Sequence, residues 1–140
     1  MAVNNRFLSD WAPRLLSVLR ITAAFTFMQH GSAKLLKFPK VEMFANLDYT
    51  SIYGLAGVLE LVGGFLLLIG LFSRPVAFVL SGLMAVAYFM AHSDPVFSPM
   101  LSGGEAAYLF CFVFLYISAA GPGPWSVDAA RAKGQGLRTA

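Results

Sequence analysis

The chain has 140 residues, of which 58% are hydrophobic and 12% charged, with a mean hydropathy of +0.70. Soluble domains carry about 25% charged residues, and a chain this short leaves too much surface exposed for its few polar residues to cover. A soluble globular domain is therefore excluded, as are a disordered chain, which would lack the 13 Phe, and a disulfide-stapled domain, since Cys111 is the one cysteine. The net charge of +3 comes from scattered cations with no basic run, so no nucleic-acid partner is expected. What remains is an all-α integral membrane protein with a single transmembrane domain over 1–140.

A spanning helix needs about 20 predominantly apolar residues. The first candidate span runs from Pro13 to about Lys34 and contains Arg20. The segment Leu35–Thr50 is mixed, but Phe38, Val41, Phe44 and Leu47 recur at helix-like spacing. It reads as a short interfacial helix between the first and second spans. The second span covers Ser51–Phe72 and contains Glu60. Ser73-Arg74 makes a tight connection, and Pro75 opens a third span ending near Ser93. Asp94–Gly104, with Pro95, Pro99 and a Gly pair, reads as an irregular loop. Glu105 opens a fourth span, 105–121, which Gly121-Pro122-Gly123-Pro124 ends. The tail 122–140 is small and basic and reads as solvated. The expectation is a four-helix transmembrane bundle.

Four spans place Arg6, Arg14, Arg74, Arg131, Lys133 and Arg138 on one side and Lys34, Lys37 and Lys40 on the other. The excess of cations on the first side predicts both termini in the cytoplasm, with Trp11 and Trp125 as interfacial anchors and the plasma membrane (the inner membrane in a bacterium) as the location. A cleaved signal peptide ending near Gly31-Ser32-Ala33 is a rival reading, but the apolar stretch Ile21–Met28 is short for it.

Charges inside a bilayer cost a few kcal/mol on insertion scales and need partners. Measured from the span ends, Arg20 lies roughly 10 Å from the inner face and Glu60 roughly 14 Å from the outer, leaving roughly 6 Å between them. An intramembrane Arg20–Glu60 ion pair is therefore expected, as a helix staple or as a proton or substrate site. Tyr53, Gly57, Glu60 and Gly64 share one helix stripe, and Gly57 and Gly64 would let a neighbouring helix approach closely.

The remaining polar groups collect at the outer end. Gln29, His30 and Lys34 close the first span, Tyr88 and His92 the third, and Glu105 begins the fourth. Together they form a candidate ligand or partner pocket. Its uses compete: a quinone or small acidic molecule hydrogen-bonded by His, or interfacial side chains that simply reach the headgroups. A haem on His30 and His92 rests on two histidines alone. A metal on His30, His92 and Glu105 lacks diagnostic spacing. Neither a haem nor a metal is expected. Cys111, without a resolving partner in an apolar helix, reads as packing.

Three groups of residues in order resemble the DoxX family of small four-helix membrane proteins. They are Arg20…Gly31…Lys34, then Gly57-Val58-Leu59-Glu60-Leu61-Val62-Gly63-Gly64…Gly70…Arg74, then Gly104-Glu105 with Gly121-Pro122-Gly123…Ser126-Val127-Asp128. The resemblance implies a four-helix transmembrane bundle. It also implies association with thiosulfate–quinone oxidoreductase subunits and with membrane complexes that defend against thiol and oxidative stress. The leading expectation is a small membrane subunit of a quinone-linked oxidoreductase system, with a larger subunit or a homo-oligomer as partner. A non-enzymatic assembly, cargo or structural subunit is the second reading, and an oligomeric small-molecule transporter the third. The residues alone do not settle whether the chain is an enzyme.

Overall fold

The computed structural model describes residues 6–95 and 97–138. Among them every regular element is helical: α1 (Arg6–Leu35), α2 (Ile52–Ile69), α3 (Ser73–Ala91), the short α4 (Pro99–Ser102), α5 (Glu105–Ala120) and α6 (Val127–Arg138). Two of them, α2 with 18 residues and α3 with 19, are long and apolar enough to cross a membrane. Helix α5 is apolar but shorter, with 16 residues.

The helices start and stop for local reasons. The Ser51 hydroxyl caps α2 by accepting from the Gly54 amide at 3.3 Å. Gly70 ends α2 in the left-handed region at φ 71°, where a side chain would be strained. Helix α3 begins two residues before Pro75 because a distant carboxylate completes its first turn. Asp128 accepts from the amides of Phe72 and Ser73 at 2.9 and 2.8 Å. Pro75 then falls within the first turn, where a missing amide costs nothing.

Two expectations are corrected. Helix α1 starts at Arg6 and carries Pro13 inside it, so Pro13 does not mark the helix end. The expected interfacial helix is a single 3-10 turn at Glu42–Phe44, with Phe38 and Val41 exposed. Pro39 and the polar Asn46-Leu47-Asp48 stretch leave too little uninterrupted backbone for a longer helix. The tail carries α6, started by the Ser126 hydroxyl accepting from the Ala129 amide at 3.1 Å.

Helix α1 packs mainly on α2, and α3 on α5, with α2–α3 and α1–α5 contacts joining the two pairs. The core is Ala24, Phe27, Leu67, Ala77, Leu80, Phe114 and Ile117. Phe27 meets Phe114 edge-on at 4.9 Å between centroids, a favoured aromatic geometry. The arrangement of polarity is reversed from a water-soluble protein. Val58, Val62, Phe65, Phe78, Val79, Val86 and Phe89 point outward, while Ser17, Arg20, Lys34, Glu60, Ser73 and Ser81 are buried. Apolar solvent around the helices accounts for both halves of that pattern.

The α1–α2 register depends on glycine. A Cβ on Gly31 would stand 2.6 Å from the Leu61 nitrogen and 2.9 Å from the Gly57 oxygen, both backbone atoms that cannot swing away. Gly57 lies under the Lys34 and Leu35 side chains, and Gly64 against Met28. Replacing Gly31 by Ala should cost about 1–3 kcal/mol by overpacking. Gly82→Ala, which meets nothing within 4 Å, should stabilise α3 by about 0.5–1 kcal/mol. Thermal melts of the two variants in one detergent check the opposite signs.

Candidate functional site: a buried Lys34–Glu60 pair

The close α1–α2 approach brings the last turn of α1 against the middle of α2. Long helical side chains lean toward the N-terminus of their own helix. Lys34, whose Cβ sits over Gly57, therefore reaches back to the level of Glu60. Its Nζ donates to Oε1 at 2.6 Å and to Oε2 at 2.9 Å. The Glu60 side chain is 3% exposed and that of Lys34 11%. His30, one turn earlier, lies within electrostatic reach of the Glu60 carboxylate and packs edge-on against Phe110 of α5 at 6.2 Å. From above, the segment between α1 and α2, residues 36–51, folds over the pair as a strap. The Phe44 ring stands 5.5 Å from the Lys34 ammonium, and Lys37 donates to the Phe44 carbonyl. The result is an ion pair under an apolar cap, with the exposed His30 within electrostatic reach of Glu60.

This pairing corrects the expected Arg20–Glu60 contact. Across the helix pair Gly31 faces Gly57 and Leu61, Gly64 faces Ala24 and Met28, and Gly70 faces Arg20. Arg20 is thus level with the end of α2, ten residues and roughly 15 Å from Glu60. The depth estimate failed because it took Pro13 as the inner end of a helix that begins at Arg6.

Arg20 instead anchors the opposite end of the bundle. Its Nη2 donates to the Trp125 carbonyl at 2.6 Å, and the Trp125 amide donates to the Ser17 hydroxyl at 3.1 Å. Asp128, two residues into α6, caps α3 and donates its own amide to the Gly70 carbonyl at 2.9 Å. Arg74 donates to the Ser118 and Ala119 carbonyls at the negative end of α5. Gly123 lies so close to Pro13 and Ser17 that a side chain there would meet backbone. The Gly121–Asp128 segment thereby ties α1, α2 and α3 together, and Arg20 is a structural group of this clamp. Neither Asp128 as the cap of α3 nor Lys34 as the partner of Glu60 was reached from the sequence. Aligning Gly31 with Gly57 in antiparallel helices would have found the second.

The remaining expected site residues divide. Tyr88 is buried and stacks edge-on against Tyr108 at 5.7 Å. His92 ends α3, its Nδ1 3.1 Å from the Ser102 carbonyl. Gly104 fits under both, since a Cβ there would lie 2.6 Å from His92 and 2.7 Å from Tyr88. Tyr88 and His92 therefore serve the α3–α5 junction, whereas Lys34 serves the ion pair and His30 packs on Phe110. Gln29, His30 and Glu105 are exposed. The Ser81 hydroxyl donates to the Cys111 carbonyl at 2.7 Å, which keeps Cys111 within α3–α5 packing.

The family model for DoxX matches residues 15–93, more than half of the chain and all of the segment that builds the ion pair. The chain belongs to the DoxX family. It is 40% identical over 126 residues to an uncharacterised protein of Haemophilus influenzae, covering 86% of this chain and 93% of that one. No solved structure matches the chain.

Two outcomes follow for this DoxX protein. Glu60→Gln strands a buried ammonium and should cost about 3–5 kcal/mol, whereas the double change Lys34→Met with Glu60→Leu should melt at or above the parent temperature. Burial raises the Asp128 carboxyl, but hydrogen bonds from Ser73 and Phe72 and the charge of Arg131 outweigh it and hold the group below its ordinary value. A lowered value contributes stability above the unfolded pKa of about 3.9, lost as pH falls through the folded value. Melting temperature should therefore drop below about pH 4, less steeply in Asp128→Asn, as a pH series of melts would show.

Proposed function

We propose that this DoxX-family chain spans the plasma membrane four times, with α1, α2, α3 and α5 as spans and both termini cytoplasmic. We further propose that it is the small membrane subunit of a quinone-linked oxidoreductase system. The observation that carries the reading is the Lys34–Glu60 pair, two opposite charges buried among apolar helices, with His30 within electrostatic reach. Intramembrane ionisable groups of this kind mark proton or ligand sites. Exposed apolar side chains around α2, α3 and α5 support lipid contact on all sides. The six cations at the clamp end of the sequence against three at the strap end support the orientation.

The chemistry asked of these residues is modest. Lys34 and His30 can donate hydrogen bonds to a carbonyl oxygen, and Glu60 can take up or pass on a proton as that oxygen is reduced or reoxidised. The groove between α1 and α5, lined by Leu19, Thr22, Thr26 and Phe110 among others, leads along the bundle to the ring that packs on His30. A membrane-soluble ligand could approach sideways along it, whereas Phe44 and the strap cover the pair from the aqueous side. Electrons would come from a larger partner subunit, consistent with the association that the family resemblance implies.

Gentle purification from native membranes followed by mass spectrometry should find quinone near one per chain. It should be lost in the Lys34→Met, Glu60→Leu double variant, which keeps its melting temperature. A ligand-free parent that arrives with a larger subunit would overturn the quinone site and leave an accessory or assembly role.

A further inference from the structure

At the clamp end the protein presents a feature that the ion pair does not need. Helix α1 continues fourteen residues before Arg20, roughly 21 Å beyond the level where Arg20 meets Trp125. On this extension Phe7, Leu8, Trp11 and Leu15 are exposed and fall on one helical face. Phe7 packs on Trp11 at 5.9 Å, and the Arg14 guanidinium sits 5.3 Å from the Trp11 ring. Across the same end, Arg131 of α6 stands 5.4 Å from the exposed Phe72 ring, with Trp125 exposed nearby and Lys133 exposed half a turn further on.

The charge at this end is one-sided. Arg6, Arg14, Arg74, Arg131 and Lys133 all reach the surface. Arg74 alone among them spends its donors on protein carbonyls. Of the acids here, Asp128 is held by the Phe72 and Ser73 amides with Arg131 within electrostatic reach, and Asp10 is the other, against five cations. Aromatic rings that alternate with cations around the rim of an apolar bundle match the boundary between acyl chains and phosphates. Rings at that depth hold the neighbouring cations at the height of lipid phosphates, within a Debye length of them.

We propose that this rim, formed by the α1 extension and the start of α6, binds acidic phospholipid headgroups, with Arg14, Arg131 and Lys133 as the phosphate-facing side chains. The proposal rests on the membrane-spanning reading but not on the quinone site. The occupant is the adjacent leaflet. An acidic protein partner would use the same cations without regard to lipid class.

Native mass spectrometry of the full chain, released from nanodiscs holding equal phosphatidylglycerol and phosphatidylcholine of the same acyl composition, tests it. Phosphatidylglycerol adducts should exceed phosphatidylcholine adducts several-fold, and 0.5 M salt in the nanodisc buffer, a condition at which the Debye length falls to about 4 Å, should erase most of the excess. The triple variant Arg14→Gln, Arg131→Gln, Lys133→Gln should lose the preference, while Lys40→Gln at the other end keeps it. Lys133→Gln, at an exposed position, should lower it alone even if the triple variant folds poorly. Equal adducts in the parent, or an undiminished preference in Lys133→Gln and the triple variant, would overturn the proposal. A chain that fails to enter nanodiscs would instead overturn the membrane-spanning reading.

Discussion

A carboxylate placed inside an apolar bundle must be neutralised where it stands, and this requirement organises the α1–α2 half of the molecule. The effective penalty for an unpaired ion of this kind is several kcal/mol. Glu60 meets it through both oxygens on one ammonium. The contact is available only because Gly31 and Gly57 let the two backbones come close enough for Lys34 to lie across α2. The close approach sets the register of α1 against α2, and that register carries Arg20 to the other end of the bundle. Phe44 and the strap then seal the pair. One electrostatic constraint thus connects helix spacing, helix register and the fold of an otherwise irregular segment.

The far end solves a different problem with different chemistry. Helix ends leave backbone groups unpaired, and here the ends of α2, α3 and α5 fall together. Asp128 and the Trp125 backbone, both from the segment after α5, and Arg74 from α3 satisfy groups on four helices. Arg20 is buried by this arrangement, with its Nη2 on Trp125 and with Asp128 within electrostatic reach. The two charged residues that stood out in the apolar spans therefore have separate partners and separate duties. Glu60 belongs to a candidate ligand site and Arg20 to a structural clamp.

Several features were legible before any coordinates. The start of α2 just after Ser51, the long apolar runs of α2 and α3, and the opening of α5 at Glu105 were read correctly, whereas the stop of α2 at Gly70 lies two residues before the expected Phe72. The glycine stripe of α2 pointed to a close helix neighbour, and Gly57 and Gly64 do face α1. The failures share a cause. The interfacial helix was inferred from the spacing of four apolar residues, but the strap is shaped by what it covers. The ion-pair partner was inferred from depth along the helices, but depth needs a helix end, and Pro13 did not supply one.

Composition determined that this chain cannot present a water-facing globular surface, because 58% hydrophobic residues with 12% charge cannot cover one, and the long apolar runs pointed to helices. Sequence also determined which residues had to find partners, since a buried charge is conspicuous at any depth. Only the tertiary structure decided who the partners are. Lys34 and Asp128 reach Glu60 and the start of α3 across 26 and 55 residues of chain. Such pairings depend on how closely two helices pack and in what register, quantities fixed by side-chain volumes on both surfaces at once and carried by no single segment.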